Sequence, residues 1–282
     1  MTAFHGLEAR LRRAGVAAPA AEAWAMLTHL AGRDRLDLLT GTPWHPSPAQ
    51  NATLQAWVRR RAEGHPLQHL LGVAPFHGVD LQAGPEALVP RPETEVLVER
   101  VLEGIRTVPT PVVLDLGTGS GAVAIALARA RPDAEIWASD VAEEALALAS
   151  RNALAHAPAV RLVRADLFDA PALQALLPRL DALAANLPYL PASDAAGFSR
   201  EVRHDPPHAL LGGPDGLEPF RRAWQGAVTR LPSRARAWFE LDPRNVHAAA
   251  AEVEAGPGGW RTRVHDDLAG RARVLEAWRG VG

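Results

Sequence analysis

The chain of 282 residues contains no cysteine and no lysine. Without cysteine there are no disulfides, no thiolate nucleophile and no thiolate metal ligand, and the composition is compatible with a reducing compartment. The 30 basic residues are therefore all arginine, and no Walker-type lysine follows a Gly-rich turn. No apolar run reaches the roughly 18 residues that a membrane-spanning helix needs. The N-terminus lacks the basic-then-apolar layout of a secretory signal. Charge of either sign is not in excess: the formal net charge is -2, with 22% charged residues. That argues against a polyanion binder acting through bulk charge and against a disordered tail. These absences lead to the expectation of a soluble, cytoplasmic protein with no membrane partner. What is present is core material, at 48% hydrophobic residues, enough for one large domain or two unequal ones.

The most informative stretch runs Val112-Val113-Leu114-Asp115-Leu116-Gly117-Thr118-Gly119-Ser120-Gly121. Apolar residues lead into an acid, three glycines fall within five positions, and an Ala/Ile/Leu-rich segment, 122–131, follows as a helix. Strand, Gly-rich turn and helix in that order open a doubly wound α/β domain. The glycines permit a sharp turn and a close approach of backbone to ligand, and the helix start beyond them offers unpaired N–H groups. The spacing is G-x-G-x-G rather than the dinucleotide pattern, and Asp115 disfavours phosphate while suiting a cationic amino-acid head. S-adenosylmethionine carries an ammonium and a sulfonium and no phosphate, so the turn favours that cofactor over a nicotinamide.

The α/β alternation continues beyond the turn. Strands are expected at 134–139, 160–165 and 180–185, with a helix at 143–155. They end in Asp140, in Asp166-Leu167-Phe168 and in Asn186-Leu187-Pro188-Tyr189. Ligands of such sheets bind at the carboxyl ends of the strands, and all four candidate elements fall there in register. Asp140 is placed for the ribose hydroxyls, Asp166 for the adenine amino group, and Leu167 to cover the ring. Before this domain, residues 1 to about 70 read as helices, with apolar residues at three- and four-residue spacing. A hairpin linker follows around Phe76–Leu81, then an extended Pro-containing segment, 88–95, in which Glu93 or Thr94 opens a helix. Residues 190–218 form a long loop of the kind that usually serves function. His65, His69 and His77 have no further ligand at a suitable spacing, so no metal is expected.

Several motifs together resemble the release-factor glutamine N5-methyltransferase family over nearly the whole chain. They are Gly64-His65-Pro66-Leu67-Gln68-His69-Leu70-Leu71-Gly72, Val89-Pro90-Arg91-Pro92-Glu93-Thr94-Glu95, Asp115 to Gly121, Glu201-Val202-Arg203, and Ala209 to Leu217. The resemblance implies a Rossmann-like S-adenosylmethionine-dependent methyltransferase domain (93–282) behind an N-terminal helical, substrate-docking domain (1–72) and a β-hairpin linker (73–92). It implies methylation of the glutamine side chain in the Gly-Gly-Gln motif of peptide-chain release factors, with no direct contact to nucleic acid. A monomer is expected. The cofactor set is Asp115, Gly117, Thr118, Gly119, Ser120, Gly121, Asp140, Asp166, Leu167 and Asn186. The substrate set is Asn186, Leu187, Pro188 and Tyr189, with Asn186 and Tyr189 catalytic. Two departures stand out: the family's Asn-Pro-Pro-Tyr reads Asn186-Leu187-Pro188-Tyr189, and Phe239-Glu240-Leu241-Asp242 replaces a Glu-Ile-Gly pattern, expected to alter local packing only.

A carboxamide nitrogen is a poor nucleophile, so transfer from a sulfonium needs positioning more than acid–base help. The Asn186 side-chain oxygen and the residue-187 carbonyl can each accept one N–H of the target amide, and Tyr189 can lie against its plane. Leu187 keeps the carbonyl and loses the fixed φ of proline. The readings that remain open are glutamine methylation of a ribosomal protein, a cofactor-binding relative without transfer activity, and, less compatible with the net charge, an adenine-N6 DNA methyltransferase.

Overall fold

The computed structural model describes residues 2–280 and folds as two compact units. The first gathers the chain up to Gly72 together with Phe198–His204. Its helices are α1 (Thr2–Arg13), α2 (Pro19–Ala31), α3 (Arg35–Thr40), α4 (Pro48–Ala62) and α5 (Leu67–Leu71). Ser47 and Gln50 form a reciprocal capping box ahead of α4, with Pro48 in its first turn, which satisfies two otherwise orphaned N–H groups. The apolar stripes meet in a core of Leu7, Leu11, Met26, Leu27, Leu54, Val58 and Leu70. Arg61 is buried beside them, with Nε and Nη2 on the Glu22 carboxylate at 2.7 and 2.8 Å and Nη2 on Glu201 at 3.2 Å. His65 stacks on His204 with ring centroids 3.9 Å apart. The short segment 198–204, expected as part of one long loop, thus belongs to the helical unit.

The second unit begins with the hairpin β1 (Val73–Phe76) and β2 (Val79–Gln82), then α6 (Thr94–Gly104), β3 (Val112–Leu116), α7 (Ala122–Ala130), β4 (Glu135–Asp140) and α8 (Glu143–His156). It continues with β5 (Arg161–Arg164), α9 (Pro171–Leu176), β6 (Ala182–Ala185), α10 (Glu218–Ala227), β7 (Arg236–Glu240), α11 (Val246–Ala255), β8 (Trp260–Asp266) and β9 (Ala272–Arg279). The seven strands run in the order β5-β4-β3-β6-β7-β9-β8, parallel from β5 to β7 and antiparallel at β9 and β8. The order reverses between β3 and β6, which is where an open α/β sheet makes its ligand crevice.

Both faces of the sheet are covered. Val96, Val101, Val123, Ile125 and Ala153 of α6–α8 pack on one face with Phe76 and Leu81 of the hairpin. Leu173, Leu176, Phe220, Trp224, Val246 and Val253 of α9–α11 pack on the other. β6 is buried along its whole length, as a central parallel strand with helices on both sides must be. Among the described residues no helix is long and apolar enough to cross a membrane.

Candidate active site

The turn after β3 is built by backbone that only glycine adopts freely. Gly117, Gly119 and Gly121 have φ of 75°, 56° and 85°, the left-handed region that a β-carbon disfavours. A β-carbon on Gly121 would press on Ile125 and Ala149 at 3.2 and 3.3 Å, whereas one on Gly119 would meet only Ala87, at 3.9 Å. Gly121 therefore serves helix packing, and Gly119 leaves space for a ligand. Around this turn lies a cleft of about 260 Å³, open to solvent. Asp115, Gly117, Thr118, Gly119, Ser120, Asp140, Asp166, Leu167, Asn186, Leu187 and Pro188 line it. So the strand ends nominated from the sequence do converge. Gly121 and Tyr189 do not line the cleft.

Two acids hold the turn. Asp140 accepts the Gly119 N–H at 2.9 Å through one oxygen and the Ala142 N–H at 3.0 Å through the other, with lone pairs left over for a ligand. Asp115 is turned further inward. Its Oδ2 accepts the Thr118 hydroxyl at 2.6 Å and the Ala124 N–H at 3.2 Å. Burial raises its pKa to about 7, against the lowering effect of those two hydrogen bonds and with a small further rise from Asp140. Asp166 pairs with Arg222 at 2.8 Å. Leu167 has φ of 55°, a conformation that a branched residue holds only where its surroundings demand it.

Beyond β6, Asn186 Nδ2 donates to Thr94 Oγ1 at 3.1 Å. Among the described residues no protein donor reaches Asn186 Oδ1 or the Leu187 carbonyl. The Tyr189 hydroxyl points away from the cleft to Glu240 Oε1, at 3.3 Å, and burial beside that carboxylate pushes the phenol well above its ordinary range. Tyr189 thus anchors the motif by its hydroxyl. Glu240 is 1% exposed and burial lifts it to about 7, opposed by Thr94, Arg273 and Tyr189. Within Phe239–Asp242, Glu240 is the acid that the family's Glu-Ile-Gly pattern also carries, and through Tyr189 it supports the segment beyond β6.

The late loop clamps the same segment. Gly212 donates to Leu190 O at 2.8 Å, and Leu190 to Leu210 O at 2.9 Å. Asn245 Nδ2 reaches Tyr189 O at 3.2 Å. A β-carbon on Gly216 would strike Tyr189 O, and one on Gly212 would lie 2.6 Å from Pro188 O, so both glycines are needed for close backbone approach. Arg91, which lines the cleft, is fixed by the buried Asp205 at 2.5 Å. Thr94, Glu240, Asn245 and Asp205 were not singled out as site residues by sequence. The signature around Pro90 and Pro92 marks Thr94 as notable without saying what it touches.

The donor set fits S-adenosylmethionine. It offers acidic acceptors for ribose, adenine and ammonium, an open backbone at Gly119, and no free lysine for phosphate. Among the described residues no group of three or more His, Asp or Glu could hold a metal.

Comparison with known proteins agrees with this chemistry. Residues 2–72 match the family described as PrmC N-terminal domain, and residues 113–204 match a family described as Methyltransferase domain. The release factor glutamine methyltransferase of Deinococcus radiodurans is 42% identical over 276 residues, 97% of this chain and 96% of that protein. That of Moorella thermoacetica is 37% identical over 273 residues, 96% and 95% of the two chains. Among solved structures, the hMettl16 catalytic domain in complex with a MAT2A 3'UTR hairpin shares the fold. Its TM-score is 0.55 at 15% identity, covering 86% of this chain and 85% of that one.

Proposed function

Because the chain belongs to the release factor glutamine methyltransferase family, we propose that its cleft methylates the side-chain amide nitrogen of the glutamine in the Gly-Gly-Gln motif of peptide-chain release factors. S-adenosylmethionine, when bound, supplies an activated methyl group on a sulfonium. Asp140 would hold the ribose hydroxyls, Asp166 and Leu167 the adenine, and Asp115 with the turn 117–121 the amino-acid end.

The observation that carries the reading is Asn186. Its amino group is committed to Thr94, so its oxygen is the part left to accept from a substrate. The Leu187 carbonyl beside it offers a second acceptor. A primary carboxamide has two N–H donors, and two fixed acceptors hold its nitrogen with its lone pair aimed at the methyl group. The same acceptors stabilise the positive charge that develops on nitrogen during transfer. No general base is required, since the proton can leave after transfer.

Gly-Gly-Gln offers little side-chain information, so recognition must use surface away from the cleft. We assign that role to the helical unit, whose described residues include none that line the cleft. Asn186→Ala tests the reading: transfer should fall roughly 10²–10³-fold, as for removal of an oriented polar group, while calorimetry shows near-normal cofactor affinity. A folded Asn186→Ala variant with unchanged transfer would refute it.

A further inference from the structure

We propose that Thr94 and Glu240 are positioning residues that set which end of the Asn186 carboxamide faces the substrate. The inference rests on the preceding reading of Asn186 as the acceptor for the target amide. An asparagine side chain is nearly symmetric in shape, with a donor at one end and an acceptor at the other. Something must choose between them, because the wrong choice presents an NH₂ group to a substrate that itself offers N–H.

Thr94 sits at the start of α6 and is 4% exposed. It does not cap the helix, which has no side-chain cap. Instead its oxygen accepts Asn186 Nδ2–H at 3.1 Å. Its hydroxyl is near enough to the Glu240 carboxylate to oppose the rise in its pKa, although no hydrogen bond of ordinary length joins them and Glu240 Oε2 is buried without a partner. An ionised carboxylate only accepts. With Glu240 ionised, the Thr94 proton is drawn toward Glu240, the Thr94 oxygen is left as an acceptor, and Asn186 must give it the NH₂. The Asn186 oxygen then faces outward. With Glu240 protonated, its O–H can donate to Thr94, the Thr94 hydroxyl becomes free to donate, and the reversed amide is satisfied equally well.

Glu240 is well placed for that choice. Tyr189 donates to its other oxygen at 3.3 Å. Arg273 of β9, Glu93 ahead of α6 and Asp242 beyond β7 are the other charged groups around the pair. Arg273 is itself shared with the buried Asp267 at 3.6 Å. Burial holds Glu240 near neutrality, at about 7, so the fraction of correctly oriented Asn186 rises as pH passes upward through that value.

The test compares wild type, Thr94→Val, Thr94→Ser and Glu240→Gln in methyl transfer to an intact release factor at saturating S-adenosylmethionine. Calorimetry measures cofactor affinity, and ¹⁵N NMR follows the Asn186 side-chain amide. Thr94→Val should lower kcat by about tenfold or more, the scale of one lost oriented hydrogen bond, with cofactor affinity unchanged. Thr94→Ser should restore most of the rate. Glu240→Gln should lower kcat and remove the acid limb near pH 7. A folded Thr94→Val variant with wild-type kcat, or a Glu240→Gln variant that keeps the acid limb, overturns the proposal. If wild type transfers no methyl group, the reading of Asn186 fails, and the NMR arm still decides the relay. The Asn186 amide signals should move with pH near 7 in wild type and stay fixed in Thr94→Val, and their not moving in wild type overturns it.

Discussion

Leu187 Cδ2 would lie 2.7 Å from a β-carbon on Gly117, so the residue that departs from the family's proline packs its side chain on the first glycine of the cofactor turn. Leu187 is 8% exposed and part of the larger core. The substitution removes a rigid ring from the loop and supplies a buried contact between β6 and the β3 turn.

Leu187→Pro should therefore separate two effects. Among the described residues no acceptor is bound by the Leu187 N–H, so proline removes no backbone hydrogen bond. The rate of transfer should be preserved or raised, because the carbonyl stays and the loop stiffens. Thermal stability should fall by about 1–2 kcal/mol through the lost leucine packing. Loss of transfer in a folded Leu187→Pro variant would contradict the role of residue 187 as a carbonyl acceptor.

Asp140→Ala should weaken S-adenosylmethionine binding by roughly 1–3 kcal/mol. Two losses contribute: the acceptor for ribose and the brace on Gly119 and Ala142. Calorimetry checks it, and unchanged affinity would remove the ribose assignment. Binding of NAD in place of S-adenosylmethionine would remove the cofactor assignment altogether.

The raised pKa of Asp115, at about 7, makes cofactor affinity pH-dependent. A protonated Asp115 must lose its proton to face an ammonium, so affinity should weaken as pH falls below about 7, by up to about tenfold per pH unit. Asp115→Asn should bind more weakly at pH 8 and lose this dependence. In the free protein the sign is opposite. The folded state holds the Asp115 proton more tightly than the unfolded chain, so stability falls as pH rises from the ordinary carboxylate range to about 7 and is level above it. The Asp115→Asn variant should melt higher than wild type at pH 8, and a lower melting temperature there would contradict the account.

Removal of residues 1–72 tests docking. Every described residue lining the cleft belongs to the other unit, so S-adenosylmethionine binding should survive while methylation of intact release factor falls sharply. A short Gly-Gly-Gln peptide should be a poor substrate with or without the helical unit. A truncated, folded chain as fast as the whole on release factor would assign the unit another role.

The β-strands, the turn and the strand-end acids were legible because each is set by local pattern: apolar runs, glycine spacing, an acid where a run stops. The helix α9 was not, because Pro171 opens a run only 6 residues long inside what reads as a connection. Thr94 reads as a helix cap by type and position, and tertiary contact overrides that: its hydroxyl meets Asn186, 92 residues away. Glu240 closes β7, and its partner Tyr189 lies 51 residues earlier, a pairing that no local pattern signals. The pairing of Arg61 with Glu201 spans 140 residues, which no local pattern carries, so residues 198–204 read as plain loop.

The most direct measurement is the site of methylation. The protein is incubated with labelled S-adenosylmethionine and, in parallel, a peptide-chain release factor, a ribosomal protein and duplex DNA, and the modified residue is located by mass spectrometry. The account predicts one methyl group on the side-chain nitrogen of the glutamine in the release factor's Gly-Gly-Gln motif, absent with Asn186→Ala. Label on the ribosomal protein or on DNA adenine, with the release factor unmodified, would contradict it.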